Sequence, residues 1–338
     1  MELPEAVIIG DETFNKENLS LFIKKRAFLL TGPNVSNIFE SKISSALSGF
    51  DYKKAIVESS TYEEAEKIYR EKFDVNSEAV IGFGGGKVLD VAKYLGYKAG
   101  IQVISIPTSA SNDGIASPFS SLKGGIHPYS LKVKPPRGVI VDLSVIMKAP
   151  KRYILSGLGD LLGKFTSTRD WKLAWIEKGE YFGEYASKLA YESAKHAMIS
   201  TKGIEDLKYS SVRNLMEALI SAGVAGGIAG SSRPLSGSEH LISHALDIIA
   251  PEKGTHGEKV ALSTVLIAYL YGMNWKKIKA KMQEVGLPVS FLQIGVKREE
   301  VLEAVTLAPS LRPERYTILH KLNLTKDEVS NILDEINI

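Results

Sequence analysis

The 338-residue chain is 44% hydrophobic and 24% charged, the profile of a globular protein long enough for two domains, and no apolar run approaches the ~20 residues that a membrane-spanning helix requires. Its net charge of +3 comes from lysines scattered among acids rather than from a basic stripe, which disfavours nucleic acid as a partner and leaves a small anionic substrate acceptable. With no cysteine anywhere, disulfides, thiolate nucleophiles and Cys-ligated metals are excluded, so any metal must be held by histidine and carboxylate.

The opening MELPEAVIIG has neither a basic start nor a cleavable apolar core, so a cytoplasmic protein is expected. From there strand-like and helix-like stretches alternate. RAFLLTGPN leads into a polar helix, KAIVESS into TYEEAEKIYREKF, and EAVIGFGGG into VLDVAKYLG, where Val88, Val91, Ala92 and Leu95 fall at helical spacing. IQVISIPTSAS and RGVIVDLSV follow. The alternation predicts an α/β, Rossmann-like domain over residues 1–150, with a mostly parallel sheet and ligands at the carboxyl ends of its strands.

One of those ends reads GFGGGKVLD, with Gly84, Gly85 and Gly86 at a strand-to-helix turn. Backbone N–H groups at a helix N-terminus attract anions, and the lack of Cβ atoms lets a phosphate approach closely. The stretch fits neither familiar pattern: Lys87 stands where a Rossmann G-x-G-x-x-G needs its last glycine, and Val88 where a P-loop needs Ser or Thr. By itself it reads equally as a phosphate cradle or as a turn chosen for packing.

Beyond KAPKR helical patterns take over to the C-terminus, predicting an all-α domain over 151–338. AGVAGGIAG (222–230) reads as a closely packed helix or a loop, too short to span a bilayer. Three of the six histidines lie close together: His240 and His244, four apart and so on one helix face, and His256. Ser236 with Glu239, and Thr255 with Glu258, match the S/T-x-x-E capping box and predict helix starts at both places. Such a pair is often a surface or satisfied core feature; His256 tips it toward a metal, with Asp160 in GLGDLLGK as the best third ligand and helix capping as its plain alternative. Asp-His-His is the protein ligand set of a catalytic zinc with one open position, and non-haem iron uses a similar set.

Taken in order along one chain, GFGGGKVLD, IPTSASNDGIASPFSSL, GLGDLLGK, SGSEHLISH and THGEKV resemble the polyol branch of the iron-type alcohol dehydrogenases, which shares its fold with dehydroquinate synthase. The resemblance implies that Gly84, Gly85 and Gly86 wrap the pyrophosphate of NAD(P)H, with Lys87 and Asp90 alongside and Thr108, Ser109, Ser111 and Ser117 completing the cofactor site. It implies metal ligation by Asp160, His240 and His256, and substrate contacts at Asp113, Asp160 and His244, the last a catalytic candidate for passing the proton. The activity implied is a reversible, zinc-dependent reduction of dihydroxyacetone phosphate to sn-glycerol 1-phosphate for membrane lipid synthesis, by a homo-oligomer with one zinc per subunit. Reduction of the unphosphorylated ketone is the nearest alternative, and a dehydroquinate synthase-like lyase a more distant one.

Two points stay open within the resemblance. Lys164 stands where the iron-using branch has a further histidine ligand, which favours zinc, and Lys123, Lys164 and Arg233 are candidates for the substrate phosphate by position only. The turn TGPN carries no acid to repel a 2′-phosphate, so either NADH or NADPH is acceptable, with Glu58 a candidate for the ribose.

Overall fold

In the computed structural model, which describes residues 1–124, 130–200 and 203–338, the alternating first half forms one sheet. Its strands are β1 (Ala6–Gly10), β2 (Arg26–Thr31), β3 (Asp51–Ile56), β4 (Ala79–Gly84) and β5 (Gln102–Pro107), with β8 (Gly138–Asp142) completing it; β6 (Phe119–Ser120) and β7 (Leu131–Lys132) make a separate antiparallel ribbon. The order is β1-β8-β5-β4-β2-β3, every neighbouring pair parallel. β4 and β8 are buried along their whole length and β5 almost so, which is why they read as unbroken apolar runs rather than alternating ones. In β2, Ala27 and Leu29 enter one core while Phe28 and Leu30 enter the other, so both faces of the sheet are covered. β3, at one edge, keeps Lys53 and Lys54 exposed, blunting an edge that would otherwise recruit a further strand.

β2 pairs with both β3 and β4, so the connections leaving β2 and β4 run toward opposite ends of the sheet. The crevice at the carboxyl ends of these two strands is a topological switch point, where open α/β sheets take their ligands. The glycine loop lies there, at the end of β4. β1 was not anticipated from the sequence: its partner begins at Gly138, too far along the chain to leave a local signal.

Residues 1–150 and 151–338 form two compact units. Among the described residues the second unit is built of helices without a strand. AGVAGGIAG closes the helix Tyr209–Ala229, which stops at Gly230 with φ 62°, a left-handed position that suits glycine. No described helix is long and apolar enough to cross a membrane.

Candidate metal centre and glycine loop

Three helices of the second unit meet at the predicted ligands. Asp160 lies near the end of Lys151–Leu162, His240 and His244 lie in Ser238–Ile249, and His256 opens His256–Leu270. The last helix starts where expected: the Thr255 hydroxyl accepts from Glu258 N–H at 3.3 Å and Glu258 accepts from Thr255 N–H at 2.6 Å. Glu258 also receives two bonds of 2.7 Å from the Arg152 guanidinium, a bidentate pair that ties the first turn of the His256 helix to the start of the Asp160 helix.

Those two helices touch through their backbones. A Cβ on Gly257 would lie 1.7 Å from the Ser156 carbonyl oxygen, and one on Gly159 would lie 2.2 Å from the Gly257 carbonyl oxygen. Only a glycine crossing of this kind brings the residues beside those glycines, Asp160 and His256, so close.

The start of Ser238–Ile249 departs from the predicted capping box. Its N-cap is Gly237 rather than Ser236, because Glu239 is turned inward. The Glu239 carboxylate accepts from Gly237 N–H at 2.7 Å, from the Thr166 hydroxyl at 2.7 Å and from His240 Nδ1 at 2.8 Å. The Ser238 N–H instead donates to Asp170 on another helix, at 2.7 Å.

One oxygen of Asp160, Oδ1, lies 3.2 Å from His240 Nε2 and 3.5 Å from His256 Nε2. The other, Oδ2, takes the Lys164 ammonium at 3.2 Å, and Lys164 also donates to Leu235 O at 2.9 Å. Asp160 and Lys164 are buried, and the His256 side chain is 32% exposed, so the cluster opens on the His256 side. Burial alone would raise the Asp160 carboxyl, but the Lys164 ammonium and the two imidazoles outweigh it and hold it well below the usual carboxylate range. Burial works against a charge on His240 too; Asp160 and Glu239 prevail and raise it. His244 lies one turn along, its ring centroid 6.3 Å from those of His240 and His256. Burial, with His256 and His240 beside it, pushes His244 down to about 3, so it is a neutral imidazole at pH 7.

Asp160, His240 and His256 can each offer one ligand atom with all three atoms within 4.8 Å of one another. A carboxylate and two imidazoles at this spacing fit a divalent ion such as zinc with three protein ligands, and Lys164 confines Asp160 to a single ligand oxygen. Of the phosphate candidates, Lys164 is thus engaged with Asp160. Arg233 is buried in a bidentate pair with Glu180 and donates to Tyr316 O at 2.8 Å, and Lys123 lies in the first unit.

Asp170 supplies a test by pH. Burial, and then the charge of Glu239, push its carboxyl up to about 6, against donors from Ser238, Tyr271 and Ile318. A carboxyl raised on folding keeps its proton while the unfolded chain releases one, so this contribution to stability is lost as pH rises from about 4 to about 6 and is flat above, a change of about 3 kcal/mol. The unfolding free energy of the wild type minus that of Asp170→Asn is therefore expected to fall across this window in urea titrations. A difference independent of pH would show that Asp170 titrates normally.

In the first unit, Gly84 ends β4, Gly85 is the N-cap and Gly86 the first residue of the helix Gly86–Ala99, whose start has no side-chain cap. The segment after β5 lies against it: Thr108 N–H donates to Gly84 O at 3.0 Å. A Cβ on Gly86 would come within 2.9 Å of Asn112 Nδ2 and 3.4 Å of Ser111 Oγ, and one on Gly85 within 3.3 Å of Ser109 Oγ. Thr108, Ser109 and Ser111 are thus brought to the three glycines. Lys87 is exposed and donates to Glu58 O at 2.6 Å. Asp90 pairs with the buried Lys93 ammonium at 3.1 Å, and Lys93 donates onward to Gly114 O and Phe119 O, so this pair braces the loop that carries Asp113 and the buried Ser117. Asp113 starts a short 3-10 turn whose Gly114 N–H is capped by Asn112 Oδ1 at 3.0 Å.

The model of the iron-containing alcohol dehydrogenase family matches residues 11–150. The whole chain is 43% identical to a glycerol-1-phosphate dehydrogenase (NAD(P)+) from Sulfolobus acidocaldarius, covering 97% of that protein. It is 44% identical to the protein of the same description from Hyperthermus butylicus, over 96% of this chain and 95% of that one. Among solved structures, glycerol dehydrogenase from Schizosaccharomyces pombe shares the fold with a TM-score of 0.82 at 22% identity, covering 99% of this chain and 89% of that one. An iron-containing alcohol dehydrogenase matches with a TM-score of 0.72 at 18% identity, covering 99% and 98%.

Proposed function

Since this chain belongs to the family of NAD(P)-dependent glycerol-1-phosphate dehydrogenases, we propose that it interconverts dihydroxyacetone phosphate and sn-glycerol 1-phosphate on a zinc held by Asp160, His240 and His256, in the cytoplasm and for membrane lipid synthesis. The observation that carries the site is the convergence of one carboxylate and two imidazoles within 4.8 Å. In the reducing direction a hydride leaves the dihydronicotinamide for the C2 carbonyl carbon, the C=O π pair becomes an oxygen lone pair, and that oxygen takes a proton. A metal held by these three residues would supply a Lewis acid for the C2 oxygen and offset the charge that develops there.

The chain's own groups do the rest. Lys164 holds Oδ2 of Asp160, so that Oδ1 alone is offered beside the imidazoles. His244, neutral at pH 7, serves in this reading as a hydrogen-bonding partner of the substrate and a neutral proton relay rather than as a cationic anchor for its phosphate. Gly84, Gly85 and Gly86 give the dinucleotide pyrophosphate access to backbone N–H groups at the start of Gly86–Ala99, with Thr108, Ser109, Ser111 and Ser117 as further cofactor contacts and Asp113 as a substrate contact. β2 ends at Thr31 and turns through Gly32 into a helix that starts at Pro33-Asn34, without an acid to exclude a 2′-phosphate, so both NADH and NADPH are accepted.

Two measurements test this reading together. NAD(P)H oxidation is expected to be fast with dihydroxyacetone phosphate and weak with dihydroxyacetone, and a clear preference for the unphosphorylated ketone would make the chain a glycerol dehydrogenase instead. Assembly into a homo-oligomer is supported by the exposed Trp175, Ile176, Tyr181 and Tyr185 at the end of Lys164–Lys178 and beyond it, and a monomer mass by light scattering would remove that part.

A further inference from the structure

We propose that Glu239 is a positioning residue of the metal centre, fixing the tautomer and the orientation of His240. An ionised carboxylate only accepts hydrogen bonds. His240 stands between two carboxylates, with Nδ1 2.8 Å from Glu239 Oε1 and Nε2 3.2 Å from Asp160 Oδ1; with a metal on the Asp160 side, the single proton of the neutral ring sits on Nδ1 facing Glu239 and the Nε2 lone pair is left for the metal. The Glu239 carboxylate is itself immobilised. Gly237 N–H donates to Oε1 and the Thr166 hydroxyl to Oε2, both at 2.7 Å, and a Cβ on Gly163 would lie 3.2 Å from Glu239 Cγ, so its stem is packed as well.

The other histidine is treated differently. His256 Nδ1 has the Ser243 hydroxyl at 3.5 Å, beyond good hydrogen-bonding distance, and a hydroxyl can donate or accept, so it fixes no tautomer. The two imidazoles are therefore held unequally, and the ring that depends on a carboxylate is the more deeply buried one. Outer carboxylates of this kind raise the basicity of a ligating imidazole, and their loss costs about 10–100-fold in metal affinity.

The inference rests on the zinc reading above, and its test separates the two. In wild-type protein labelled with 15N-histidine and loaded with zinc, His240 is expected to carry its proton on Nδ1 and to bind zinc through Nε2. Glu239→Gln, which keeps the shape of the side chain, is expected to weaken zinc binding by about 10–100-fold in competition with a chelator while the melting temperature of the zinc-free protein stays close to that of the wild type. Zinc affinity unchanged in a folded Glu239→Gln protein overturns the role, as does a wild-type His240 with no proton on Nδ1. If the variant does not fold, the wild-type nitrogen shifts decide alone. Wild-type protein that binds no zinc refutes the metal reading itself rather than the part played by Glu239.

Discussion

Replacing His256 with alanine is expected to lower kcat by about a thousandfold or more, equivalent to about 4 kcal/mol of lost transition-state stabilisation, with the fold intact. The side chain is 32% exposed, so truncation opens a space that water can fill rather than a dry cavity, and the helix start rests on Thr255 and Glu258 rather than on the imidazole. His240 is the less informative target, because its removal leaves the buried Glu239 carboxylate without one of its donors. Chelation of the wild type should reproduce the loss, and added zinc should restore the wild type but not the variant. Turnover of dihydroxyacetone phosphate by the variant at the wild-type rate would rule His256 out as a ligand.

Gly257→Ala is expected to fail for a different reason. Both Gly257 and Gly159 have ordinary helical backbones, absent from the residues of positive φ, so what they supply is space rather than conformational freedom. A methyl group 1.7 Å from the Ser156 carbonyl oxygen meets backbone, which cannot rotate away. The helices must part, at a cost of about 3 kcal/mol or more as overpacking. Because Asp160 and His256 are the neighbours of the two crossing glycines, parting them by about an ångström spoils the ligand geometry too, and a misplacement of that size costs about a hundredfold in rate. Urea unfolding and zinc affinity measured on one preparation should show both losses. A variant with wild-type stability would mean that the crossing is not as tight as the distances state.

Local signals carried some features and misled in others. β2, β4, β5 and β8 were legible because buried parallel strands leave unbroken apolar runs between turn residues, whereas the edge strand β3, with Lys53 and Lys54 exposed, was caught only at its end, where KAIVESS overlaps Asp51–Ile56. β1 was not, because what makes AVIIG a strand is β8, more than a hundred residues away. Thr255 and Glu258 form the capping box that their spacing predicts, whereas Ser236 and Glu239, with the same spacing, do not. The second pair fails because Thr166, Gly237 and His240 offer Glu239 three hydrogen bonds in a dry interior, more than a helix terminus offers. Gly237 and His240 are its neighbours along the chain, but Thr166 is not, and the only available signal was an acid directly before a candidate ligand histidine.

Composition and order alone were enough for the α/β half followed by a helical half and for excluding cysteine from any metal site, since residue type and spacing are local properties; together with the family resemblance they singled out Asp160, His240 and His256, which the fold brings within 4.8 Å of one another. Folding was needed to place GFGGGKVLD at a switch point of the sheet, to put Lys164 on the second oxygen of Asp160, to turn Glu239 toward an imidazole, and to show that glycine at 159 and 257 is what lets Asp160 and His256 meet. The switch point and the glycine crossing depend on segments distant in sequence approaching within a few ångströms; Lys164 and Glu239 are near neighbours of Asp160 and His240 along the chain, but the groups that hold their side chains in place, Leu235 O and the Thr166 hydroxyl, are about seventy residues away, and such packing leaves no periodicity along any one segment.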